Sequence, residues 1–176
     1  SRSKDRTMGT EFSLATSQAM REMKQEAIRL GLAQSRLPST GSYSLDLNLN
    51  KAPEKTMILI LGPTGSGKTI VAQAIKNCFK NCILSDAPTD KKENVRKMLD
   101  DYDCVIITCQ TRKGNDAFGF GCSMRLAYSA DYIFCLEKIE SGVIKVECTK
   151  NRHRRHGDKF YLDLMFNMGK VTIEEL

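Results

Sequence analysis

A lysine and a threonine close a glycine-rich turn in the middle of the chain. The stretch Gly62-Pro63-Thr64-Gly65-Ser66-Gly67-Lys68-Thr69 fits the pattern G-x-x-x-x-G-K-[ST] at every fixed position. Glycines let the chain curl so that successive backbone N–H groups point inward at an anion, and the lysine adds a positive charge. The threonine hydroxyl can ligate a magnesium ion that bridges phosphates. The spacing therefore predicts a phosphate-binding loop, with a nucleotide bound along residues 62 to Ile70.

The segments on either side of this loop suit that chemistry. The apolar run 57–61 before it is typical of a buried strand, and apolar residues at helical spacing after it predict a helix from Thr69 to about Phe79. Such a helix aims the positive end of its dipole and its first N–H groups at the anion. The alternative is a plain glycine-rich turn, which the match of the whole motif in this context disfavours.

Composition limits the class of protein. A chain of 176 residues is long enough for one domain with a substantial core. Its 27% charged and 41% hydrophobic residues are typical of a soluble globular protein, and no apolar run reaches the length of a membrane span. The net charge of +6 permits a polyanionic partner without requiring one. We therefore expect no membrane association.

Seven cysteines, an odd number, lie mostly inside apolar runs. This pattern favours buried free thiols in a reducing compartment, and no pair has the spacing of a zinc site. No signal peptide is evident. The expected location is the cytoplasm, or a reducing host compartment if the protein is viral, and magnesium is the one metal we expect.

The chain divides by pattern into three parts. Residues 1–12 resemble an expression-vector leader. Within residues 13–50, apolar positions between about Ser17 and Ala33 predict an amphipathic helix, and the Pro-Ser-Thr-Gly-Ser stretch after it predicts a linker. That helix is expected to pack on its own domain or on a neighbouring copy. Residues 51–176 hold the predicted domain.

Strands and helices alternate along most of that domain. After the loop we predict strands over residues 82–85, 104–109 and 132–136 and helices over about 89–101 and 123–128. Residues 144–148 and 160–166 alternate between apolar and polar side chains, as half-buried antiparallel strands do. The prediction is an α/β fold: a mostly parallel central sheet with helices on both faces and a C-terminal antiparallel hairpin.

The order of these segments resembles the RecA-like ring ATPases and, within them, the DnaB-type hexameric helicases. The resemblance covers about residues 55–170. Beyond the loop it rests on VIITCQTR, which ends a strand in Gln110, on MRLAYSADYIFCLEK, and on IKVECTKNRHRRHGDKFYLDLMF with its Lys-Asn-Arg turn. It implies a RecA-like core that hydrolyses ATP with Mg²⁺ and a homo-oligomeric ring, a hexamer in the helicases, acting on single-stranded nucleic acid.

The resemblance also implies roles for residues around the γ-phosphate. Gln110 matches the polar residue that senses this phosphate and communicates with the loop after it. That loop, residues 111–122, matches a central-channel loop, in which Arg112 and Lys113 contact nucleic-acid phosphates. Either of two phenylalanines there could stack on a base; they are Phe118 and Phe120. The alternative for this segment is a solvated glycine-rich connection.

Two basic residues of the Lys-Asn-Arg turn match a pair that acts between subunits. Lys150 and Arg152 correspond to the Lys-x-Arg residues that reach into the neighbouring subunit's site and stabilise charge on the transferred phosphoryl group. The alternative is a solvated basic hairpin tip.

The acidic residues depart from the family pattern. The family has a glutamate that activates water and an aspartate that orders magnesium, whereas this chain offers Asp86 alone. Either Asp86 activates the water and Thr108 replaces the metal-ordering acid, or Asp86 orders the metal and the base lies elsewhere. Asp86 could instead cap a turn ahead of Pro88. Because aspartate is shorter than glutamate, we expect slow turnover.

Three functional hypotheses follow. The first is an ATP-hydrolysing ring motor of helicase or genome-packaging type. The second is a small P-loop kinase, which an arginine-rich lid between helices would support, but the arginines here cluster on the predicted hairpin. The third is a nucleotide-dependent assembly module that hydrolyses poorly, consistent with the missing second acid.

Overall fold

Strands and helices alternate up to about residue 130, and the residues described after it, 131–153 and 158–176, contain strands and turns only. The computed structural model describes residues 18–19, 21–23, 26, 37–50, 52–85, 92–111, 124–153 and 158–176. The strands are β1 (Thr56–Gly62), β2 (Cys82–Ser85), β3 (Cys104–Gln110), β4 (Tyr132–Glu140), β5 (Val143–Asn151), β6 (Lys159–Asn167) and β7 (Lys170–Glu175). The helices are α1 (Tyr43–Leu49), α2 (Lys68–Lys76), α3 (Lys92–Asp101) and α4 (Met124–Ser129). None of the helices in these ranges is long and apolar enough to cross a membrane.

The seven strands form one sheet in the order β2-β3-β1-β4-β5-β6-β7. The first four in this order are parallel, and β4 to β7 form an antiparallel meander. The predicted α/β fold is therefore confirmed. The predicted hairpin is one part of a larger meander, because β4 continues past Leu136 to Glu140 and because β7 pairs with β6. The sequence of β7, KVTIEE, is half charged and lacks an apolar run, so it was not predicted as a strand.

Side chains of β1 point alternately into two apolar layers. Ile58 and Ile60 lie in the layer that contains α1 and α2, whereas Leu59 and Leu61 lie in the layer covered by α3 and α4. All seven residues of β1 are buried, because this strand is central and both of its faces are covered. The same rule explains the continuous apolar run of β3.

Residues 43–50 follow the predicted linker and fall within the region 13–50, for which no second helix was predicted. They form α1 and its C-cap, and both leucines at the i and i+4 positions of this helix, Leu45 and Leu49, are buried in the layer beside α2. The Glu175 carboxylate accepts hydrogen bonds from Ser42 Oγ at 2.6 Å and from the Ser44 amide at 2.8 Å. The boundary predicted at residue 51 therefore does not separate α1 from the core. A seven-residue helix beside a Pro-Ser-Thr-Gly-Ser stretch has only about two turns, too few for its apolar spacing to be recognised. Burial in the tertiary structure decides its conformation.

The helix predicted over residues 17–33 lies largely outside the described residues. The described positions within it, 18–19, 21–23 and 26, are helical. Arg21 donates a hydrogen bond to the carbonyl of Gly41, so this segment contacts its own chain at that point.

Candidate nucleotide-binding site

The turn between β1 and α2 is tightly packed at its base. A Cβ atom added at Gly62 would lie 2.5 Å from Ser66 Oγ and 2.8 Å from the Leu136 carbonyl oxygen, so no larger residue fits there without a backbone shift. Gly65 and Gly67 have φ angles of +79° and +85°, which favour glycine. The chain therefore curls as the spacing of its glycines predicted.

The carbonyl oxygen of Pro63 accepts three hydrogen bonds within this loop. The donors are the Ser66 amide at 3.2 Å, Ser66 Oγ at 2.7 Å and Lys68 Nζ at 2.8 Å. Ser66 is fully buried, so its side chain shapes the loop from inside. A carbonyl oxygen has two lone pairs, so the partly exposed lysine is the donor most easily drawn away by a phosphate oxygen.

The start of α2 is suited to an anion. Gly67 is the N-cap and supplies no side-chain cap, and the first turn carries no acidic residue. The first amides of a helix have no partner within it, and the helix dipole adds partial positive charge there. Thr69 is exposed in this turn, where its hydroxyl could ligate a metal ion that also binds phosphate. The outer side of the loop is open, since a Cβ added at Gly65 would meet nothing within 4 Å.

The structure places Gln110 directly beside this loop. The parallel pairing of β3 with β1 sets Gln110 opposite Gly62, and the Thr111 amide donates to the Gly62 carbonyl at 3.0 Å. Gln110 is exposed, and strand alternation puts it on the same face as Ile106, the face that packs against α2. The residue predicted to sense the γ-phosphate is therefore adjacent to the loop.

The end of β2 lies at the same edge of the sheet. Its last residue, Ser85, pairs with Ile107, and Thr108 follows with only 5% of its surface exposed. Asp86 lies outside the described residues. The predicted nucleic-acid contacts do so as well; they are Arg112, Lys113, Phe118 and Phe120. Their roles stay predictions.

The basic pair lies at the opposite end of the strands from the loop. Lys150 pairs with Ile133 of β4, and Ile133 pairs with Leu59, which precedes Gly62 in β1. Since β5 runs antiparallel to β4, the residues that follow Lys150 continue away from the loop. The structure therefore does not bring Lys150 and Arg152 to the glycine-rich loop, residues 62–69, of their own chain.

Both side chains instead contact the end of α4. Lys150 Nζ donates to the carbonyls of Ala127 at 2.8 Å and Tyr128 at 3.0 Å, and Arg152 also donates to the Tyr128 carbonyl. Cations near the last carbonyls of a helix are favourable. The pKa of Lys150 is lowered, first by burial and then by the neighbouring Arg152 charge.

Asp131 joins this region to the start of β1, a role that sequence analysis did not identify. One carboxylate oxygen accepts from the Met57 amide at 2.9 Å. The other lies 3.7 Å from Arg152 Nη1 and 3.5 Å from His153 Nε2. The only indication of this role in the sequence was the Ala130-Asp131 pair, which belongs to the segment MRLAYSADYIFCLEK that carries the family resemblance.

Two further side chains near the loop were not connected with it by sequence analysis. Ile144 of β5 and Leu164 of β6 line the space that a side chain at Gly67 would enter. The alternation of apolar and polar residues in these two strands predicted that one face of each is buried. It could not identify the segment against which that face lies.

Similar folds occur among solved ATPase structures. The crystal structure of the RadB recombinase matches with a TM-score of 0.57 and 18% identity, over 78% of this chain and 99% of that one. A KaiC-like protein from the hyperthermophilic archaeon Pyrococcus horikoshii matches with a TM-score of 0.51 and 14% identity, over 81% and 100%. A DnaB-like replicative helicase, solved to show its interactions with primase, matches with a TM-score of 0.54 and 12% identity, over 88% and 66%.

No protein-family profile and no curated protein sequence matches this chain. The structural matches show that it has the fold of the RecA-like P-loop ATPases, as the sequence resemblance implied.

Proposed function

We propose that this protein is a RecA-like ATPase that binds ATP with Mg²⁺ at residues 62–70 and hydrolyses it. The observation that carries the proposal is the pairing of Gly62 with Gln110, reinforced by the hydrogen bond from the Thr111 amide to the Gly62 carbonyl. This pairing sets a polar side chain next to the phosphate loop and immediately ahead of the segment predicted to contact nucleic acid. Movement at the γ-phosphate would thereby reach that segment through one residue.

Each residue of the site has a distinct task in this proposal. Backbone amides of the loop and of the first turn of α2 bind phosphate oxygens, and the Lys68 ammonium adds charge. The Thr69 hydroxyl would hold Mg²⁺, which neutralises phosphate charge when bound. Gln110 orients the γ-phosphate or the attacking water. Asp86 either activates this water or orders the metal, and in the first case Thr108 takes the other place.

At a finer level, we propose that the protein acts as a homo-oligomeric ring, a hexamer in the helicase pattern, on single-stranded nucleic acid. Lys150 and Arg152 lie away from their own loop, so a catalytic role for them requires the loop of a neighbouring copy. The Arg152 side chain is 45% exposed and suits this role better than Lys150, whose ammonium is held by two carbonyls. Arg112 and Lys113 would bind the strand, with Phe118 or Phe120 stacking on bases. The motor is of helicase or genome-packaging type.

The decisive experiment compares phosphate release with oligomeric state. A ring motor should assemble with a non-hydrolysable ATP analogue and Mg²⁺, and a single-stranded polynucleotide should raise its rate of phosphate release. A protein that stays monomeric at high concentration and ignores the polynucleotide would contradict the motor while leaving simple ATP hydrolysis in place.

The assembly module is the second candidate. The last three residues of β3, Thr108, Cys109 and Gln110, include no carboxylate. Assembly that depends on nucleotide, without measurable phosphate release, would favour this alternative over the motor.

A further inference from the structure

The C-terminal meander approaches the glycine-rich loop at both of its ends, through Leu136 at Gly62 and through Leu164 and Ile144 at Gly67. A Cβ atom added at Gly67 would lie 3.3 Å from Leu164 Cδ1 and 3.5 Å from two carbon atoms of Ile144. Gly67 is the left-handed N-cap of α2, and its carbonyl accepts the first helical hydrogen bond, from the Val71 amide at 3.0 Å. The two apolar side chains therefore line the space beside Gly67 that a side chain there would enter, at the residue where the loop becomes the helix.

Leu164 is itself held firmly by its neighbours. Its amide donates to the Gly142 carbonyl in the β4–β5 turn at 2.7 Å, and it pairs with Ile173 of β7. Its position thus depends on three segments of the meander at once. Because its backbone is held in this way, Leu164 presents its side chain to Gly67 from a fixed position on the sheet.

Gly67 has no side chain that could anchor it. Glycine adopts φ near +85° at low steric cost, but it also leaves that conformation easily. The direction of the first amides of α2 depends on Gly67, and the proposed phosphate contacts depend on those amides. Packing from the meander supplies the restraint that glycine lacks.

We propose that Leu164, with Ile144 beside it, is a positioning residue for the phosphate loop. It holds Gly67 in the conformation that directs the amides of α2 at the phosphates, and it does not touch the nucleotide itself. The inference rests on the proposed nucleotide-binding function and extends it to a restraint from the opposite half of the sheet.

The test measures the affinity of the full chain for a fluorescent ATP analogue with Mg²⁺. Replacing Leu164→Ala should weaken binding about tenfold, because small displacements of positioning groups carry large costs in a preorganised site. Leu164→Met keeps the volume and should bind as the unmodified chain does. Unfolding by urea, without nucleotide, is measured in parallel for every variant.

Leu162→Val is the matched control. Leu162 lies on the same strand and the same face as Leu164, two residues or about 7 Å before it, and it is fully buried. It should lose stability without losing affinity. Unchanged affinity in Leu164→Ala, or an equal loss of affinity in Leu162→Val, would overturn the inference. If Leu164→Ala does not fold, Leu164→Val replaces it. This variant should weaken nucleotide binding by less than tenfold, and unchanged affinity would again overturn the inference.

The outcome also separates this inference from the function on which it rests. If the unmodified chain binds no nucleotide, both fail. Suppose instead that the unmodified chain binds nucleotide and that Lys68→Ala abolishes this binding. If Leu164→Ala then binds as tightly as the unmodified chain, only the positioning role is wrong.

Discussion

The ammonium of Lys68 lies 2.8 Å from the carbonyl oxygen of Pro63, five residues earlier in the same loop. This carbonyl also accepts hydrogen bonds from the amide and the hydroxyl of Ser66. These contacts within the loop satisfy the Pro63 carbonyl and hold the lysine there. In the proposed function, an arriving phosphate would compete with this carbonyl for the ammonium.

Replacing Lys68→Ala should abolish nucleotide binding while leaving stability within about 0.5 kcal/mol, because a partly exposed contact contributes little to folding. Isothermal titration with ATP and Mg²⁺ measures the binding, and urea unfolding measures the stability. Lys76→Ala, in the last turn of the same helix, is the control and should bind normally. Normal binding by Lys68→Ala would contradict the phosphate-loop assignment.

Replacing Gln110→Ala should preserve binding and lower phosphate release by about 10²-fold, since the side chain is proposed to act on the γ-phosphate and not on the ground-state complex. Steady-state kinetics separate kcat from KM. Gln73→Ala serves as the control, because Gln73 is an exposed glutamine on α2 whose side chain bonds to Asn77. A rise in KM with unchanged kcat would instead make Gln110 a binding residue.

Mixing two inactive variants should restore activity if Arg152 acts between copies. Lys68→Ala lacks a working loop but keeps Arg152, and Arg152→Ala keeps the loop. A mixed ring therefore contains some complete sites, and phosphate release should recover to a fraction of the unmodified rate. Full activity of Arg152→Ala alone would show that its contacts with Tyr128 and Asp131 are purely structural.

The Glu175 carboxylate should stabilise the attachment of α1. It is 5% exposed and accepts hydrogen bonds from Ser42 and Ser44. Glu175→Ala should lower the free energy of unfolding by about 1–3 kcal/mol, because these donors lose a buried acceptor. Urea unfolding measures the change, and Glu174→Ala, the more exposed neighbour, should have little effect.

The thiols of Cys78, Cys82 and Cys148 should react with an alkylating reagent at different rates. Burial raises the pKa of Cys78 to about 11 and that of Cys148 to about 12, whereas a hydrogen bond from Cys104 lowers the pKa of Cys82. At pH 8, alkylation of the folded protein should therefore modify Cys82 well before Cys78 or Cys148, as peptide mass spectrometry can show. Equal rates at the three sites would contradict these environments.

The raised thiol pKa values also set the sign of a pH effect on stability. The unfolded chain loses these protons near pH 9, before the folded chain does. The contribution to stability is therefore complete below about pH 9 and declines as pH rises toward 11 or 12. A Cys78→Ala variant should show a weaker decline in urea unfolding between these values.

Features encoded over a few neighbouring residues were predictable. The loop from Gly62 to Thr69, the strand before it and the helix after it follow from local spacing, because glycine conformation and the helical period are local properties. The burial of β1 was readable from the apolar run 57–61. β7 and α1 were missed, since each is short and stabilised mainly by distant contacts.

The sequence by itself determined the position of the glycine-rich loop, its interpretation as a phosphate-binding loop, and the α/β fold around it. The family resemblance implied that Gln110 lies near the γ-phosphate, but only the tertiary structure decided the contacts through which distant residues meet this loop. Gln110 lies beside Gly62 because β3 inserts between β2 and β1, and Leu164 reaches Gly67 through the meander. Lys150 lies far from the loop because β5 runs antiparallel. Strand order, direction and register arise from the collective packing of the whole chain, and no local pattern contains them.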